Sequence, residues 1–391
     1  MSEAILAINV GSSSIKFAIY DTADRALRLR GLIESIGTHA RFGARGAIAD
    51  SLAGAEPPAA GDNAAVITWL IDLLGERLAD VSLRAVGHRI VHGGAEHVAP
   101  ERIDQATIAS LERLIPLAPD HQPHGLAAVR AVTARWPRLL QVACFDTAFH
   151  ATQPRLARLF ALPRTLTDEG IVRYGFHGLS YDYIAGVLPR IAGARADGRV
   201  IVAHLGQGAS LCAMRERCSV ATSMGFSVID GLVMGKRSGR LDPGVLLYLL
   251  QHKGMSVTEV GELLNHRSGL LGVSGISDDV RTLEASDDPH AAEALDLFAY
   301  RAAAEIAAMA AAIEGLDVLV FTGGIGEHSV SMRARIAARC RWLGVDIDAD
   351  ANATNATRIN TAASKVDVLT IPTDEEWVIA RATRMLLERS A

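Results

Sequence analysis

The chain has 391 residues, more than one ordinary domain of about 150 residues, so we expect two domains. Hydrophobic residues are 49% of the chain, enough to fill two cores. It has 39 Lys and Arg against 44 Asp and Glu, a net charge of −5, without the basic surplus of a non-specific nucleic-acid binder. The 4 cysteines form no C-x-x-C pair, which excludes a zinc ribbon or disulfide scaffold and predicts a cytoplasmic protein.

Two stretches share one pattern, in which an apolar strand meets a turn of small residues and a second strand follows. The first stretch covers residues 4–20 and the second covers residues 200–214. We interpret this repeat as a duplicated domain in which each half offers one turn to a shared cleft.

The remaining predicted elements alternate between strands and helices, which indicates an α/β fold. Further strands are predicted over 85–91, 139–145 and 318–321, and helices over 64–78, 292–313, 329–340 and 375–388. The alanine-rich helix after Leu297 carries several charged residues, so we expect no membrane partner. Two stretches rich in Gly and Ala, 37–62 and 192–199, are predicted to be surface loops.

We expect the two domains to meet near residue 148. The predicted N-terminal domain covers 1–148, and the C-terminal, nucleotide-binding domain covers 149–375. The last helix, 376–391, is predicted to return to the first domain.

Three glycine-rich turns are candidates for binding phosphate. The turn over 9–16 can direct backbone N–H groups at an anion, and Lys16 adds a positive charge, although an ordinary Gly-Ser hairpin is an equal alternative. Together with the turn over 206–210, phosphate binding becomes the favoured interpretation. The third turn, 321–328, joins a strand to a helix as nucleotide sites do, but plain turns use glycine too.

Two arginines lie in glycine-flanked apolar segments. Arg89 is within a predicted strand and Arg237 is in a glycine-bounded loop. A structural ion pair is the alternative for either residue alone, but two such arginines favour a clamp on carboxylate or phosphoryl oxygens.

Two acidic positions are further candidates. Asp146 follows a predicted strand, a favourable place for catalysis, although an Asx-turn or a helix cap is the commoner reason for such a residue. Thr373 and Glu376 have the spacing of a capping box. This leaves Glu375 for a magnesium-linked role, with helix-dipole stabilisation as the alternative. The spacing of the histidines does not fit a zinc site.

Taken in order, these motifs resemble the acetate kinase family of the actin-like, sugar-kinase-like ATPase superfamily. The stretches that carry the resemblance are 9–16, 87–94, 145–150, 173–178, 204–210, 222–226, 234–244, 268–281, 321–329 and 371–376. The resemblance implies an α/β fold of two duplicated actin-like (ribonuclease H-like) domains with a nucleotide cleft between them. It also implies reversible, ATP-dependent phosphorylation of acetate to acetyl phosphate by direct in-line transfer.

Three alternatives stay open beside that activity. The chain could phosphorylate propionate or another short-chain carboxylate, it could use pyrophosphate, or it could be a non-catalytic nucleotide-binding regulator of the same fold. A small residue at Gly324, which leaves room for a purine, disfavours the use of pyrophosphate.

The resemblance also implies roles for individual residues, together with ATP or ADP as cofactor, Mg²⁺ with Mn²⁺ as its alternative, and a homodimer. The implied catalytic residues are Arg89, Asp146, His177 and Arg237. The implied nucleotide-binding residues are Asn9, Ser12, Ser14, Lys16, His204, Gly206, Gln207, Gly208, Asp279, Val280, Arg281, Gly324, Ile325 and His328. Val91, Phe176 and Val228 match the acyl pocket, and Asn9 and Glu375 the metal site.

Several positions depart from the usual pattern of that family. Gln207, Ala221 and His328 replace Asn, Asp and Asn, whereas Leu179 and Tyr181 replace Thr and His. Asp120 replaces a pocket leucine, and Gln122 replaces Asn. Because a carboxylate beside an apolar pocket would repel an acid substrate, either Asp120 faces solvent or the acceptor differs from acetate.

Overall fold

A computed structural model of the chain describes residues 2–11, 13–58, 62–78 and 81–389. The chain forms two compact units, described separately below. The first unit is Met1–Phe149 together with Asp374–Ala391, and the second is His150–Thr373.

The first unit is built on one mixed sheet. Its strands are β1 (Ser2–Val10), β2 (Ile15–Asp21), β3 (Leu27–Glu34), β4 (Arg41–Arg45), β5 (Val81–Ile90), β6 (Glu101–Arg102) and β7 (Leu140–Phe145). They lie in the order β4-β3-β2-β1-β5-β7-β6. The neighbours β1, β5 and β7 run parallel, and every other neighbouring pair is antiparallel.

The second unit contains a smaller sheet with the same connectivity. Its strands are β8 (Val200–Leu205), β9 (Ala209–Arg215), β10 (Cys218–Thr222), β11 (Val318–Thr322) and β12 (Asp367–Thr370), in the order β10-β9-β8-β11-β12. Strands β8, β9 and β10 form antiparallel pairs, whereas β11 runs parallel to both β8 and β12. The order β3-β2-β1-β5-β7 repeats this arrangement, which agrees with a duplicated α/β fold.

Helices lie between and after the groups of strands. They are α1 (Asn63–Arg77), α2 (Gln105–Arg113), α3 (Gln122–Arg135), α4 (Arg155–Arg158), α5 (Arg164–Asp168), α6 (Gly178–Ala192), α7 (Pro243–Gln251), α8 (Val257–His266), α9 (Gly269–Ser274), α10 (Val280–Glu284), α11 (Pro289–Ala312), α12 (Gly323–His328), α13 (Val330–Arg339), α14 (Ala349–Ala353) and α15 (Glu375–Glu388). The strands and helices expected from the sequence are all present. Among the described residues, no helix combines the length and apolarity needed to cross a bilayer.

Helices cover both faces of the first sheet. On one face, alternate residues of β1 such as Leu6 and Ile8 pack with the apolar face of α1. Helix α15 packs on β1 and β5 and crosses β5 at Gly87. A Cβ atom at Gly87 would lie 2.2 Å from the hydroxyl oxygen of Thr383 and 2.5 Å from a methyl group of Ile379, so only glycine allows this approach.

The prediction that residues 37–62 form a loop is wrong in part. Residues 41–45 form the edge strand β4, which pairs with β3. The aromatic ring of Phe42 stacks on Phe17 and meets Trp69 edge to face. Every second residue of β4 is exposed, and a glycine lies at its centre, so the composition of this segment resembles that of a loop. The strand is stabilised by the packing of its inward-facing residues on the core.

Candidate active site

In the first unit, the carboxyl ends of the three parallel strands gather polar side chains. Asn9 lies at the end of β1, Arg89 at the end of β5, and Asp146 directly follows β7. Because parallel strands end at one edge of a sheet, the fold brings these residues together although they are far apart in sequence.

Arg89 is held by two of these neighbours. Its Nε and Nη2 atoms donate hydrogen bonds to the Asp146 carboxylate, the shortest at 2.6 Å, and Nη1 donates to the Asn9 side-chain oxygen at 3.1 Å. Burial alone would lower the pKa of Arg89, but the Asp146 carboxylate raises it above its usual value. The arginine is therefore a fixed cation, and the ion pair weighed from the sequence is present.

The start of α15 adds two carboxylates to this group. The Asn9 amide nitrogen donates to Glu375 Oε2 at 2.8 Å and to Glu376 Oε1 at 3.2 Å. Burial and the neighbouring Glu375 carboxylate raise the pKa of Glu376. Two acidic groups thus meet at one amide.

The predicted capping box of Thr373 and Glu376 is wrong. The cap of α15 is Asp374, whose carboxylate accepts a hydrogen bond from the backbone N–H of Trp377 at 3.1 Å. The Glu376 side chain turns to Asn9 instead. Helix α15 begins one residue later than a Thr373 cap requires, so both Glu375 and Glu376 belong to the polar group.

The turn between β1 and β2 lies beside these carboxylates. Lys16 pairs with Asn9 across the two strands, and its charge partly offsets the raised pKa of Glu376. The backbone N–H of Gly11 donates to the Ser14 carbonyl at 2.8 Å and closes the turn. Ser12 lies outside the described residues. Val91, expected in the acyl pocket, is buried just after β5.

In the second unit, glycine backbone lines the carboxyl ends of β8 and β11. Gly206 donates its N–H to the Gly208 carbonyl at 3.0 Å, and Gly323 has a positive φ of 78°. A Cβ atom at Gly323 would lie 2.8 Å from the Leu205 carbonyl oxygen, so the turn after β11 requires glycine. At Gly324 a Cβ atom would meet nothing within 4 Å, which leaves this backbone open to a ligand.

Two predicted catalytic residues converge on Gly208. A Cβ atom at Gly208 would lie 3.1 Å from His177 Nε2 and 3.7 Å from Arg237 Nη1. Arg237 also donates to the Val228 carbonyl at 3.3 Å. The absence of a side chain at Gly208 therefore leaves a small space bordered by an imidazole and a guanidinium.

Serine hydroxyls hold the two imidazoles of this group. The His177 ring stacks on the His204 ring at 4.3 Å between centroids. Ser210 Oγ lies 2.8 Å from His177 Nδ1, and Ser180 Oγ lies 2.8 Å from His204 Nδ1. Sequence reasoning missed both serines as partners, although Ser210 ends the predicted phosphate-binding turn.

The backbone before His177 is fixed by a third, deeply buried histidine. His150 Nε2 lies 2.9 Å from the Phe176 carbonyl oxygen, an acceptor, so this nitrogen carries the hydrogen. Burial lowers the pKa of His150 to about 4. Phe176, expected in the acyl pocket, is itself buried.

The residues expected around the adenosine lie on neighbouring elements of the second unit. Asp279 caps α10 and pairs with Arg281, whose Nη2 atom is 2.6 Å from the carboxylate. Glu284, at the end of α10, accepts hydrogen bonds at 2.6 Å from Ser329 and Ser331, which follow α12. Val280 begins α10, and α12 carries Gly324, Ile325 and the exposed His328.

Glu327 was missed by sequence reasoning, although it lies within the glycine-rich motif. Its Oε1 atom accepts from the backbone N–H groups of Gly323 at 3.0 Å and Thr373 at 3.1 Å. This carboxylate therefore joins the turn after β11 to the segment after β12.

Three departures noted in the sequence have structural partners. Gln207 extends over Gly235, where a Cβ atom would lie 2.4 Å from the Gln207 side-chain oxygen. Gln122 is buried, accepts from the His92 N–H at 3.1 Å and donates to the His92 carbonyl at 3.0 Å. Asp120 is half-buried and close enough to His124 to raise that histidine's pKa, which burial lowers overall.

Comparison with known proteins places this geometry in a family. The model of the acetokinase family matches residues 4–381. The acetate kinase of Rhodopseudomonas palustris (strain TIE-1) is 52% identical over 389 residues, which cover 97% of this chain and 98% of the relative. This chain belongs to the acetokinase family.

Solved structures agree with that membership. A propionate kinase from Francisella tularensis superposes with a TM-score of 0.89 at 36% identity, covering 98% of this chain and 100% of the other. The acetate kinase of Porphyromonas gingivalis superposes with a TM-score of 0.84 at 34% identity, covering 99% and 100%.

Membership in the acetokinase family confirms the predicted fold and enzyme class. The fold is the duplicated α/β fold of the actin-like superfamily, and the chain is a phosphotransferase of the acetate kinase type. It uses ATP or ADP, and its other substrate is a small carboxylate.

Proposed function

We propose that this chain transfers the γ-phosphoryl group of ATP to acetate, forming acetyl phosphate reversibly by direct in-line attack of the carboxylate. The observation that carries the proposal is the space at Gly208, which His177 Nε2 and Arg237 Nη1 border. An imidazole and a guanidinium facing open glycine backbone suit a transferring phosphoryl group better than an apolar ligand.

The chemistry needs charge neutralisation more than proton removal. A carboxylate acceptor is ionised at neutral pH, so its attack on phosphorus requires no strong base. The barrier comes from bringing two anions together in line. In this proposal Arg237 and His177 stabilise the equatorial oxygens of the phosphoryl group, and Arg89, oriented by Asp146, binds the acceptor carboxylate.

The carboxylates of the first unit are suited to a divalent cation. Glu375 and Glu376 converge on one amide, and burial together with the Glu375 charge raises the pKa of Glu376. A bound cation would reduce the repulsion between these two carboxylates. The described residues contain no cluster of three His, Cys, Asp or Glu that could enclose a metal, and Mg²⁺ commonly binds one or two carboxylates plus substrate phosphates. We propose that Glu375 holds Mg²⁺, which would neutralise phosphate charge.

The role of Asn9 as a metal ligand stays a prediction. Its nitrogen faces the two glutamates, while its oxygen accepts from Arg89. In this geometry Asn9 holds the acidic group together.

We keep the other implied contacts as part of the same proposal. The phosphates would lie against Ser12, Ser14, Lys16, His204, Gly206, Gln207 and Gly208, and the adenosine against Asp279, Val280, Arg281, Gly324, Ile325 and His328. The acyl group would meet Val91, Phe176 and Val228. We also propose that the two compact units are the two catalytic domains and that the enzyme acts in the cytoplasm.

The test is a hydroxamate assay that traps acyl phosphate. Purified protein is incubated with ATP, Mg²⁺ and acetate, propionate or butyrate in turn. We expect the largest kcat/KM with acetate and the second largest with propionate, because a propionate kinase is among the similar structures. No trapped acyl phosphate from any acid would contradict the proposal, and a higher kcat/KM with propionate would correct the substrate.

We also propose that the enzyme is a homodimer that associates through α7. The structure describes every residue of α7, and none of their side chains is buried. Leu247 and Tyr248 are 54% and 52% exposed, and Val257, at the start of the adjoining α8, is 79% exposed. An apolar patch of this kind is typical of a protein interface. Light scattering should therefore give twice the mass of one chain.

A further inference from the structure

Two consecutive hydrogen bonds connect the Tyr181 hydroxyl on α6, through Ser210, to the imidazole of His177; this series of three groups is called the hydrogen-bond chain below. The Tyr181 hydroxyl lies 2.5 Å from Ser210 Oγ, and Ser210 Oγ lies 2.8 Å from His177 Nδ1. Tyr181 and Ser210 are both 0% exposed, so water does not compete for these hydrogen bonds. The remaining ring nitrogen, Nε2, faces Gly208.

The backbone of His177 is strained in a way that fits a functional position. His177 has φ 60° and ψ 22°, in the left-handed region, and directly precedes α6. A residue other than glycine pays about 1–2 kcal/mol for this conformation, which persists where the surroundings require it. At this N-cap position a side chain commonly caps its own helix, but His177 makes no such bond and turns to Ser210.

The chemistry of the three groups indicates which of them donates each hydrogen bond. A phenol is a stronger hydrogen-bond donor than an aliphatic alcohol, and burial raises the pKa of Tyr181 well above 10, so its proton stays on the oxygen. Tyr181 then donates to Ser210. The single hydrogen of the serine hydroxyl is then available to His177 Nδ1, and we assign Nδ1 as its acceptor.

We propose that Tyr181 and Ser210 are positioning residues that fix His177 in the tautomer with hydrogen on Nε2, so that this N–H points at the transferring phosphoryl group. The inference rests on the proposed function. In this step His177 donates a hydrogen bond and keeps its proton, so no proton transfer is required. The hydrogen bond strengthens as charge develops on the phosphoryl oxygens.

Tyr181 is one of the positions at which this chain departs from the usual family pattern. Position 181 is a histidine in the usual family pattern, as noted above, whereas here it is a tyrosine. A phenol that remains protonated supplies one donor over the working pH range. His204 is held in a parallel way by Ser180, whereas the Tyr181 hydroxyl lies against Ser210, the partner of His177.

The kinetic test uses Tyr181→Phe, Ser210→Ala and the double variant. We expect kcat for acetyl phosphate formation to fall about 10-fold in Tyr181→Phe and about 100-fold in Ser210→Ala, with both KM values within about twofold, because the lost bond acts in the transition state. Because Tyr181 acts through Ser210, the double variant should match Ser210→Ala alone. Tyr181→His, which restores a donor, should recover part of the loss.

The matched control is Tyr174→Phe. The Tyr174 hydroxyl donates to the Gly170 carbonyl at 2.8 Å in the same unit and takes no part in the hydrogen-bond chain. Its kcat should stay within about twofold of the wild type. Equal losses in Tyr174→Phe and Tyr181→Phe, or additive losses in the double variant, would contradict the inference.

A second test reads the tautomer directly in the ligand-free wild-type protein. Nitrogen-15 NMR of histidine-labelled enzyme, with the His177 signals assigned by comparison with His177→Gln, should show hydrogen on Nε2. Hydrogen on Nδ1 would overturn the inference even if the variants failed to fold. In Ser210→Ala the two tautomers should become mixed.

The two proposals can fail independently. Absence of acyl phosphate from the wild-type enzyme would defeat the proposed function while leaving the tautomer measurement valid. An active wild type with hydrogen on Nδ1 would defeat the positioning role alone.

Discussion

The polar groups of the two units hold different kinds of charge. In the first unit Arg89 is paired with the Asp146 carboxylate, and Asn9 links Arg89 to two further carboxylates, Glu375 and Glu376. In the second unit Arg237 and two stacked imidazoles lie against glycine backbone. The acidic group suits a cation and the basic group suits phosphoryl oxygens, so the duplicated fold carries two different chemistries at the same edge of its sheets.

The two arginines also differ in what depends on them. Asp146 is only 1% exposed, and Arg89 supplies it with an ion pair, so loss of Arg89 would take that ion pair away from a buried carboxylate. Arg237 donates to the carbonyl of Val228 and lies beside the Met234 sulfur. A carbonyl left without its donor costs less than a buried charge left without its partner. Arg89 should therefore be both catalytic and structural, whereas Arg237 should be mainly catalytic.

The largest effects should come from replacing these arginines. Arg89→Ala and Arg237→Ala should each lower kcat by about 10³-fold or more, the effect of cationic groups in other phosphoryl transfers. Arg89→Ala should in addition lower the free energy of unfolding by about 3–5 kcal/mol, and Arg237→Ala by about 1 kcal/mol or less. Hydroxamate kinetics and urea unfolding measure the two quantities.

Arg217→Ala is the control for the arginine variants. Arg217 pairs with Asp197 on the surface of the second unit, so its loss should change neither quantity measurably. Near-wild-type kcat in both arginine variants would contradict their proposed roles. Equal destabilisation by the two variants would contradict the structural difference drawn between them.

The sequence predicted the elements better than the contacts that complete the site. Alternating Ile15, Phe17 and Ile19 gave a strand that the structure confirms, and helix α15 begins at Glu375, where it was predicted. Periodicity reports which side of a strand or helix is buried, and that information is local.

Contacts between distant residues leave no such local signal. The amide of Asn9 meets a carboxylate 366 positions later, and Tyr181 meets Ser210 across 29 positions. The spacing of Thr373 and Glu376 predicted that the Glu376 side chain would cap its own helix. In the structure the cap is Asp374, whose carboxylate accepts the hydrogen bond from the helix backbone. Only the folded sheet, which brings strand ends together, shows these partners.

The acidic group can be tested through its two glutamates. Glu375→Gln should raise the Mg²⁺ concentration needed for half-maximal activity by about 10–100-fold, because it removes the proposed metal ligand. Glu376→Gln should have a smaller effect, since the Glu376 carboxylate is buried and its pKa is raised. A carboxylate that loses its proton less readily is the weaker ligand for a cation. Activity titrated with MgCl₂ at saturating ATP gives both values.

Glu388→Gln serves as the control for the glutamate variants. Glu388 pairs with Arg384 at the far end of the same helix and should not change the Mg²⁺ requirement. An unchanged Mg²⁺ requirement in Glu375→Gln would contradict the metal role of that residue. A larger effect from Glu376→Gln than from Glu375→Gln would exchange their assignments.

The smallest predicted effects concern one buried histidine in each unit. Burial lowers the pKa of His88, which lies 2.8 Å from Gln141 Oε1, and that of His150 to about 4, against a usual value of 6.5. A histidine that is protonated more easily in the unfolded chain contributes stability above pH 6.5, and this contribution is lost as the pH falls from 6.5 to 4. Acid should therefore weaken both units.

Replacing either histidine by glutamine should flatten that pH dependence. Urea unfolding at pH 7 and pH 5 should show a smaller loss of unfolding free energy in His88→Gln and in His150→Gln than in the wild type, by on the order of 1–2 kcal/mol each. His290→Gln is the control, because His290 is largely exposed at the start of α11. If His88→Gln alone reduced the pH dependence of the unfolding free energy, the acid sensitivity of the second unit would come from groups other than His150. The two buried histidines would then not play the same part in the two units.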